Sequence, residues 1–166
     1  MPSTHRSFHA LLLALLLGLA AFGARAADDA AALKGLETGK GVFLVDIGSP
    51  KKLALYLDVI QGSHRGMERQ GVEPDFIVVY IGPSVRFLTS EPDDLLEMEH
   101  GERLKAIADS VAALDRLGVR QEVCDVATDV FGIDNATLLP QTELVGDGFI
   151  SLIGYQSQGY HLVPVY

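Results

Sequence analysis

Cys124 is the only cysteine in this 166-residue chain and its strongest candidate for covalent chemistry. It stands at the end of a predicted strand, Gln121 to Cys124, and just before a predicted short helix, Val126 to Phe131. The amino end of a helix favours a negatively charged thiolate, which is the nucleophilic form of cysteine. The pattern therefore indicates a nucleophile at Cys124. The simpler alternative is a small buried side chain that completes the strand.

Charged side chains predicted near Cys124 would have opposite effects on the stability of its thiolate. Asp125 and Asp129 would repel a thiolate, whereas Arg86, which follows the neighbouring predicted strand, would offset them. Because Asp125 and Asp129 lie one helical turn apart, they could also serve as an acid and a base. The simpler interpretation is that they are acidic residues at a helix start, where the helix dipole favours them.

The histidines and glycines of the chain predict no metal and no cofactor. His64 falls on the apolar stripe of a predicted helix, which is typical of a core or interface histidine. His100 and His161 lack ligand spacing to another histidine, cysteine or carboxylate. Gly39-Lys40-Gly41 lacks the spacing of a phosphate-binding loop, and no dinucleotide-binding glycine pattern follows the first predicted strand.

Alternating strands and helices position these side chains. Strands are predicted over residues 41–47, 76–81, 121–124, 143–145 and 160–165, and the first two are nearly continuous apolar runs, typical of strands buried on both faces. Helices are predicted over residues 50–70, 104–117, 126–131 and 149–158. The acidic segment 90–102 is either a solvated helix start or a surface insertion. This order predicts an α/β domain with helices on both faces of a mostly parallel sheet, with Pro164 in an edge strand.

In such a sheet, ligands bind at the carboxyl ends of the strands. Three loops of this chain would meet at that rim, each following one predicted strand. We expect them to form the walls of a pocket around Cys124. The predicted binding residues are Gly48, Ser49, Gly82, Pro83, Arg86 and Asp125.

The amino-terminal residues have the layout of a secretory signal peptide. A basic residue, Arg6, precedes the apolar run Ala10 to Phe22, and Ala24-Arg25-Ala26 is a small-x-small cleavage pattern. The sequence therefore predicts a signal peptide over residues 1–26, a single domain over residues 27–166, and a periplasmic or secreted protein. Cleavage would remove two of the 13 basic residues and none of the 22 acidic ones, leaving a net charge of −11. So acidic a chain is not expected to bind nucleic acid or an anionic membrane.

Several segments, taken in chain order, resemble those of the DsrE/DsrF-like proteins, which are associated with sulfur relay and sulfur oxidation. Together they cover nearly the whole predicted mature domain. They are Val42 to Asp46 with Ser49-Pro50, Ile77 to Val85 with Leu88, Leu117 to Val119 leading to Val123-Cys124, Gly132-Ile133 with Leu138 to Pro140, and Glu143 to Val145 with Gln158 to Tyr160.

The resemblance implies a three-layer α/β/α sandwich with a mostly parallel five-stranded sheet, assembled as trimers or hexamers. In the sulfur-relay members, which act inside the cell, a cysteine after the third strand carries sulfur as a persulfide, and Cys124 occupies that position. The leading hypothesis is therefore a periplasmic protein that accepts sulfane sulfur on Cys124 and passes it to a partner protein. The alternatives are a non-catalytic oligomeric module that binds a small ligand or partner, and, less favoured, an acid–base enzyme that uses Asp125 or Asp129.

Overall fold

A computed structural model describes residues 27–166 of the chain. The predicted signal peptide lies outside the described residues. The described part divides at Leu33: residues 33–166 form one compact unit. Residues 27–32 belong to a separate unit and contain a turn in which the Ala32 amide donates to the Asp29 carbonyl at 2.9 Å.

Strands and helices alternate through the compact unit. Two 3₁₀ helices, Gly82–Phe87 and Asn135–Thr137, lie in its connections. In chain order the other elements are β1 (Thr38–Val45), α1 (Pro50–Arg69), β2 (Glu73–Tyr80), α2 (Asp94–Arg116), β3 (Arg120–Cys124), α3 (Asp125–Phe131), β4 (Glu143–Val145), α4 (Gly148–Ser157) and β5 (His161–Val165).

Within residues 33–166 the five strands form one sheet in the order β4-β3-β2-β1-β5, and each neighbouring pair is parallel. The sheet confirms the predicted α/β fold class and is entirely, rather than mostly, parallel. The centre of β1 and β2 is buried because both faces are covered, with Val42, Val45 and Val78 fully inaccessible to solvent. Pro164 lies in β5, which pairs with β1 at the edge of the sheet, as its missing N–H requires.

Two consecutive residues of β3 show that helices cover both faces of the sheet. Gln121 points to one face, where its Nε2 donates to the Val111 carbonyl of α2 at 2.8 Å. Glu122 points to the opposite face, where its carboxylate accepts a hydrogen bond from Tyr155 of α4. Because successive side chains of a strand alternate between faces, α2 and α4 lie on opposite sides of the sheet. The molecule is therefore a three-layer α/β/α sandwich.

The helix starts follow from side-chain caps that the sequence supplies. Ser49 caps α1, with its hydroxyl accepting from the Lys52 amide at 3.4 Å, and Pro50 occupies the first turn. Asp93 caps α2, with its carboxylate accepting from the Leu96 amide at 2.9 Å. Of the two interpretations of the acidic segment 90–102, the helix start is therefore the one observed. In the described part of the chain, no helix is both long and apolar enough to cross a membrane.

Candidate functional site: the thiol at the end of β3

Cys124 is the last residue of β3 and the N-cap residue of α3. Its neighbour in the sheet is Val145 of β4, and only 5% of the residue is exposed. A parallel strand that runs directly into a helix brings the side chain at their junction to the carboxyl rim of the sheet. The thiol therefore lies at this rim and is buried on most sides.

The amino end of α4 supplies a hydrogen-bond donor to the sulfur. The Gly148 amide donates to Cys124 Sγ at 3.2 Å. Gly148 is the first residue of α4, whose cap is Asp147, and the Asp147 carboxylate accepts from the Phe149 amide at 2.8 Å. Because the first N–H groups of a helix have no partner within it, this amide is free to stabilise a negative charge on sulfur.

Only glycine fits at position 148. A Cβ there would lie 2.6 Å from Ile81 Cγ2, 3.2 Å from Cys124 Cβ and 3.3 Å from Val79 Cγ1. These are buried branched or short side chains, so they have little freedom to move aside. The missing side chain therefore allows the amide to approach the sulfur.

A cleft of about 440 Å³ borders the thiol, and we call it the cysteine cleft. Among residues 27–166, its lining includes two acidic residues, Asp46 and Asp147, and no basic residue. The remaining lining residues are Ile81, Gly82, Cys124, Val126, Ala127, Val130, Phe131 and Phe149. The sulfur thus lies in the wall of a space that a small molecule or an extended side chain could enter.

Gly82 shapes the cleft on the side of β1. Its φ is +55°, a conformation that favours glycine, and a Cβ there would lie 2.2 Å from Asp46 Oδ1. The Asp46 carboxylate therefore occupies the space directly beside the Gly82 backbone. Asp46 and Gly82 both line the cysteine cleft.

The structure brings Gly82 and Cys124 together in the cysteine cleft, whereas the other predicted binding residues do not line it. Ser49 caps α1, and Gly48 lies against Pro83, where a Cβ would be 3.5 Å from Pro83 Cγ. The Asp125 carboxylate turns towards Asn135, whose Nδ2 donates to Asp125 Oδ1 at 2.6 Å.

Arg86 lies in a neighbouring cleft rather than beside Cys124. Its guanidinium is 3.8 Å from the Asp93 carboxylate, and it lines a cleft of about 540 Å³ with Asp134 and Thr137. The 3₁₀ helix Gly82–Phe87 carries the side chain past the end of β2 and away from the sulfur. Val130 and Phe131 line both clefts and separate them. Arg86 is therefore not among the described residues that line the cysteine cleft, and its ion-pair partner is Asp93.

Sequence reasoning missed Asp46, Asp147 and Gly148. Asp46 directly follows β1 and thus lies at the same rim as Cys124, a position that the predicted parallel sheet already implied. Gly146-Asp147-Gly148 has the composition of a turn, although an aspartate before an apolar helix is also the pattern of an N-cap. The contact between Gly148 and the sulfur had no local signal.

A buried polar cluster connects α4 to β3 through hydrogen bonds. Glu122 is 3% exposed, and its Oε1 accepts from the Tyr155 hydroxyl, which in turn accepts from Arg120 Nη1 at 3.3 Å. Burial, followed by this hydrogen bond to Glu122, raises the pKa of Tyr155 above its ordinary value. Because Tyr155 and Gly148 belong to the same helix, the cluster helps to hold the Gly148 amide over Cys124.

The histidine on the apolar stripe is buried. The His64 ring packs edge-on against Phe76, and its Nδ1 lies 3.6 Å from a Glu68 carboxylate oxygen. Among residues 27–166, no group of three or more histidine, cysteine, aspartate or glutamate side chains is arranged to hold a metal ion.

Comparison with known proteins identifies relatives of this architecture. The chain has 18% sequence identity to the structure of a protein of unknown function, MTH1491, from Methanobacterium thermoautotrophicum, with a TM-score of 0.60 over 76% of this chain and 98% of that one. It has 14% identity to the ychN protein from E. coli, with a TM-score of 0.53 over the same shares of the two chains. At these identities the likeness concerns the fold alone.

No curated protein matches the chain. The model of the DsrE/DsrF-like family matches residues 21–165, so the chain belongs to the DsrE/DsrF-like family.

Proposed function

We propose that this protein carries sulfane sulfur as a persulfide on Cys124. The observation that carries the proposal is the hydrogen bond from the Gly148 amide to Cys124 Sγ, at the wall of the cysteine cleft. A buried thiol with only a structural role needs neither an amide at a helix start nor a bordering cleft. Membership of a family with sulfur-relay members supports the same function.

The proposed transfer is an exchange between sulfur atoms without net oxidation. The Cys124 thiolate attacks the terminal sulfur of a donor persulfide, R–S–SH. The S–S bond of the donor breaks, R–S⁻ leaves, and Cys124 holds the terminal sulfur as –S–SH. An acceptor thiolate then attacks that sulfur, which regenerates the Cys124 thiolate and forms the persulfide of the acceptor. The Gly148 amide favours the anionic form of sulfur that begins and ends this cycle.

Intact-mass spectrometry after exposure to a sulfane donor tests the proposal. We expect the wild-type protein to gain ~32 Da, roughly one sulfur atom, and the gain to disappear on addition of a small acceptor thiol. The matched control is Cys124→Ser, which should gain no sulfur because a hydroxyl does not take up sulfane sulfur. A wild-type protein that gains no sulfur would contradict the proposal, as would an equal gain in Cys124→Ser.

The alternative, a non-catalytic binding module, is favoured by the apolar surface around the cleft. Six large apolar residues of α3 and α4 are exposed, and we call them the α3–α4 surface: Val126, Val130, Phe131, Phe149, Ile150 and Ile153. Four of the six line the cysteine cleft, so the surface and the cleft are continuous. Such a patch is typical of a protein–protein interface. A Cys124→Ala variant that kept full biological function would favour this alternative over sulfur transfer.

We propose that the part of the α3–α4 surface outside the cysteine cleft, Ile150 and Ile153, joins copies of this chain into a trimer or hexamer and leaves the cleft open. Ile150→Glu should shift the protein to a smaller species, because a charge in an apolar interface loses its hydration without gaining a partner. The matched control is Met98→Glu on α2, which introduces the same charge at another exposed apolar position. Light scattering coupled to gel filtration measures both. A monomeric wild-type protein, or an Ile150→Glu variant of unchanged mass, would contradict this assembly.

We also propose that the protein acts in the periplasm or outside the cell. The proposal rests on the signal-peptide layout of residues 1–26. When the full sequence is produced in a bacterial host with an outer membrane, we expect the periplasmic extract to contain a chain that begins at Ala27. Its intact mass identifies the first residue. A full-length chain confined to the cytosol would contradict export.

A further inference from the structure

We infer that the cysteine cleft selects sulfur donors by charge, accepting neutral or cationic organic persulfides and disfavouring anionic ones. The inference rests on the proposed sulfur-carrier function and names the donor class for that same site. Asp46 and Asp147 would be the residues that determine this specificity.

The charge of the cleft is one-sided. Its lining contains the carboxylates of Asp46 and Asp147, the thiol of Cys124 and otherwise apolar side chains or glycine. In the part of the chain that the structure describes, neither carboxylate forms an ion pair. The arginine predicted to neutralise this rim, Arg86, is paired with Asp93 in the neighbouring cleft.

The two carboxylates have different surroundings. Asp147 is the cap of α4, and its carboxylate accepts from the Phe149 amide at 2.8 Å. Asp46 lies against the Gly82 backbone, where glycine alone leaves room for its Oδ1. Both aspartates are half-buried at the cleft, and the hydrogen bond from the Phe149 amide fixes the carboxylate of Asp147.

The rest of the lining determines what kind of neutral or cationic molecule fits. Val126, Val130, Phe131 and Phe149 provide an apolar wall, and the volume of about 440 Å³ suits a small organic molecule or the end of an extended side chain. A donor with a short aliphatic body and a hydroxyl or ammonium group would bury its carbon atoms and meet no repulsion. Thiosulfate, which has two negative charges and no apolar part, would be a poor donor.

The transfer step is the same for each donor. The Cys124 thiolate forms a bond to the terminal sulfur of R–S–SH, the S–S bond of the donor breaks, and R–S⁻ leaves with the electron pair. The donors differ in the charge of R. Once each rate is divided by the intrinsic reactivity of its donor, a remaining difference reports the electrostatic field of the cleft.

Three persulfides with the same two-methylene spacer test the inference: those of 2-aminoethanethiol, 2-mercaptoethanol and 3-mercaptopropionate, which carry an ammonium, a hydroxyl and a carboxylate group. The rate of sulfur gain at Cys124 is measured by mass spectrometry and divided by the rate of the same donor with a small neutral thiol. Unit charges ~6 Å apart in a medium of dielectric constant ~40–80 change a rate about three- to tenfold. We expect the ammonium donor to exceed the carboxylate donor by at least about tenfold, and the ratio to shrink in 0.5 M salt, where the Debye length is only about 4 Å.

The variant Asp46→Asn keeps the shape of the side chain and removes one charge. We expect it to raise the rate of the carboxylate donor relative to that of the hydroxyl donor by about three- to tenfold. Asp129→Asn is the matched control, since it removes the same charge from α3 outside the lining of the cleft and should leave the ratio unchanged. If Asp46→Asn does not fold, the salt dependence of the wild-type protein decides.

The outcomes separate the two proposals. If no donor transfers sulfur to Cys124, the sulfur-carrier function itself fails. If all three donors transfer it with equal corrected rates that do not respond to salt, the carrier function stands and the selection by charge is overturned. Selection by this cleft is also overturned if Asp129→Asn changes the donor ratio as much as Asp46→Asn does.

Discussion

Gly148→Ala should lower the free energy of unfolding by about 2–3 kcal/mol, the upper part of the range for an overpacked core. The added Cβ would lie 2.6 Å from Ile81 Cγ2 and 3.2 Å from Cys124 Cβ, so either the start of α4 or the end of β2 must move. Urea unfolding followed by circular dichroism measures the change. The loss arises from crowding alone, because alanine is otherwise the better helix residue.

Gly154→Ala is the control for this prediction because it makes the same change in the same helix. A Cβ at position 154 has no heavy atom within 4 Å, so the substitution should stabilise the protein by about 0.5–1 kcal/mol. Opposite signs for the two variants would confirm that the space at Gly148 is filled by the sheet. Equal effects would show that α4 does not lie as close to Cys124 as the structure places it.

The same substitution should also weaken the chemistry of Cys124. Moving the start of α4 withdraws the Gly148 amide from Sγ and removes a hydrogen bond to the reacting sulfur, so we expect Cys124 to react about tenfold more slowly. The rate of alkylation by iodoacetamide at constant pH measures this reactivity. A rate in Gly148→Ala equal to that of Gly154→Ala would exclude the proposed role of the amide.

Tyr155→Phe is expected to destabilise the protein by about 2–3 kcal/mol, since it removes a hydrogen bond to a buried charged group. Glu122 is 3% exposed, its Oε2 has no hydrogen-bond partner among the described residues, and its Oε1 depends on the Tyr155 hydroxyl. Without that hydroxyl the buried carboxylate would have no hydrogen-bond donor among the described residues, and Arg120 Nη1 would lose its acceptor. The free energy of unfolding at neutral pH measures the effect.

Tyr160→Phe provides the comparison at an accessible site. The Tyr160 hydroxyl also bonds to a carboxylate, with both Asp75 oxygens at 2.9 Å, but the Asp75 side chain is 39% exposed. Water can replace the lost hydroxyl there, so we expect a loss of about 0.5–1 kcal/mol. Equal losses in the two tyrosine variants would contradict the view that Glu122 depends on Tyr155.

Glu122→Gln combined with Tyr155→Phe should be less destabilising than the sum of the single changes.

Local patterns in the sequence were sufficient to predict the elements of this fold. The apolar run ending at Val45, the Ser49-Pro50 helix start and the placement of Cys124 at the end of a strand are all properties of a few neighbouring residues. A parallel sheet follows from their alternation, because short strands that alternate with helices return in the same direction. The rim at which Cys124 lies was therefore predictable from local patterns.

The contacts of the sulfur were decided by the tertiary structure alone. Gly148 is 24 residues from Cys124, and Asp46 reaches the same cleft from β1, two strands away in the order β4-β3-β2-β1-β5. Strand order and the path of each connection depend on packing between distant segments, which local periodicity does not encode. Arg86 shows the consequence, since it belongs to the 3₁₀ helix after β2 and lines another cleft. The sequence by itself determined that a thiol stands at the rim, whereas packing decided that a glycine amide and two carboxylates, rather than an arginine, surround it.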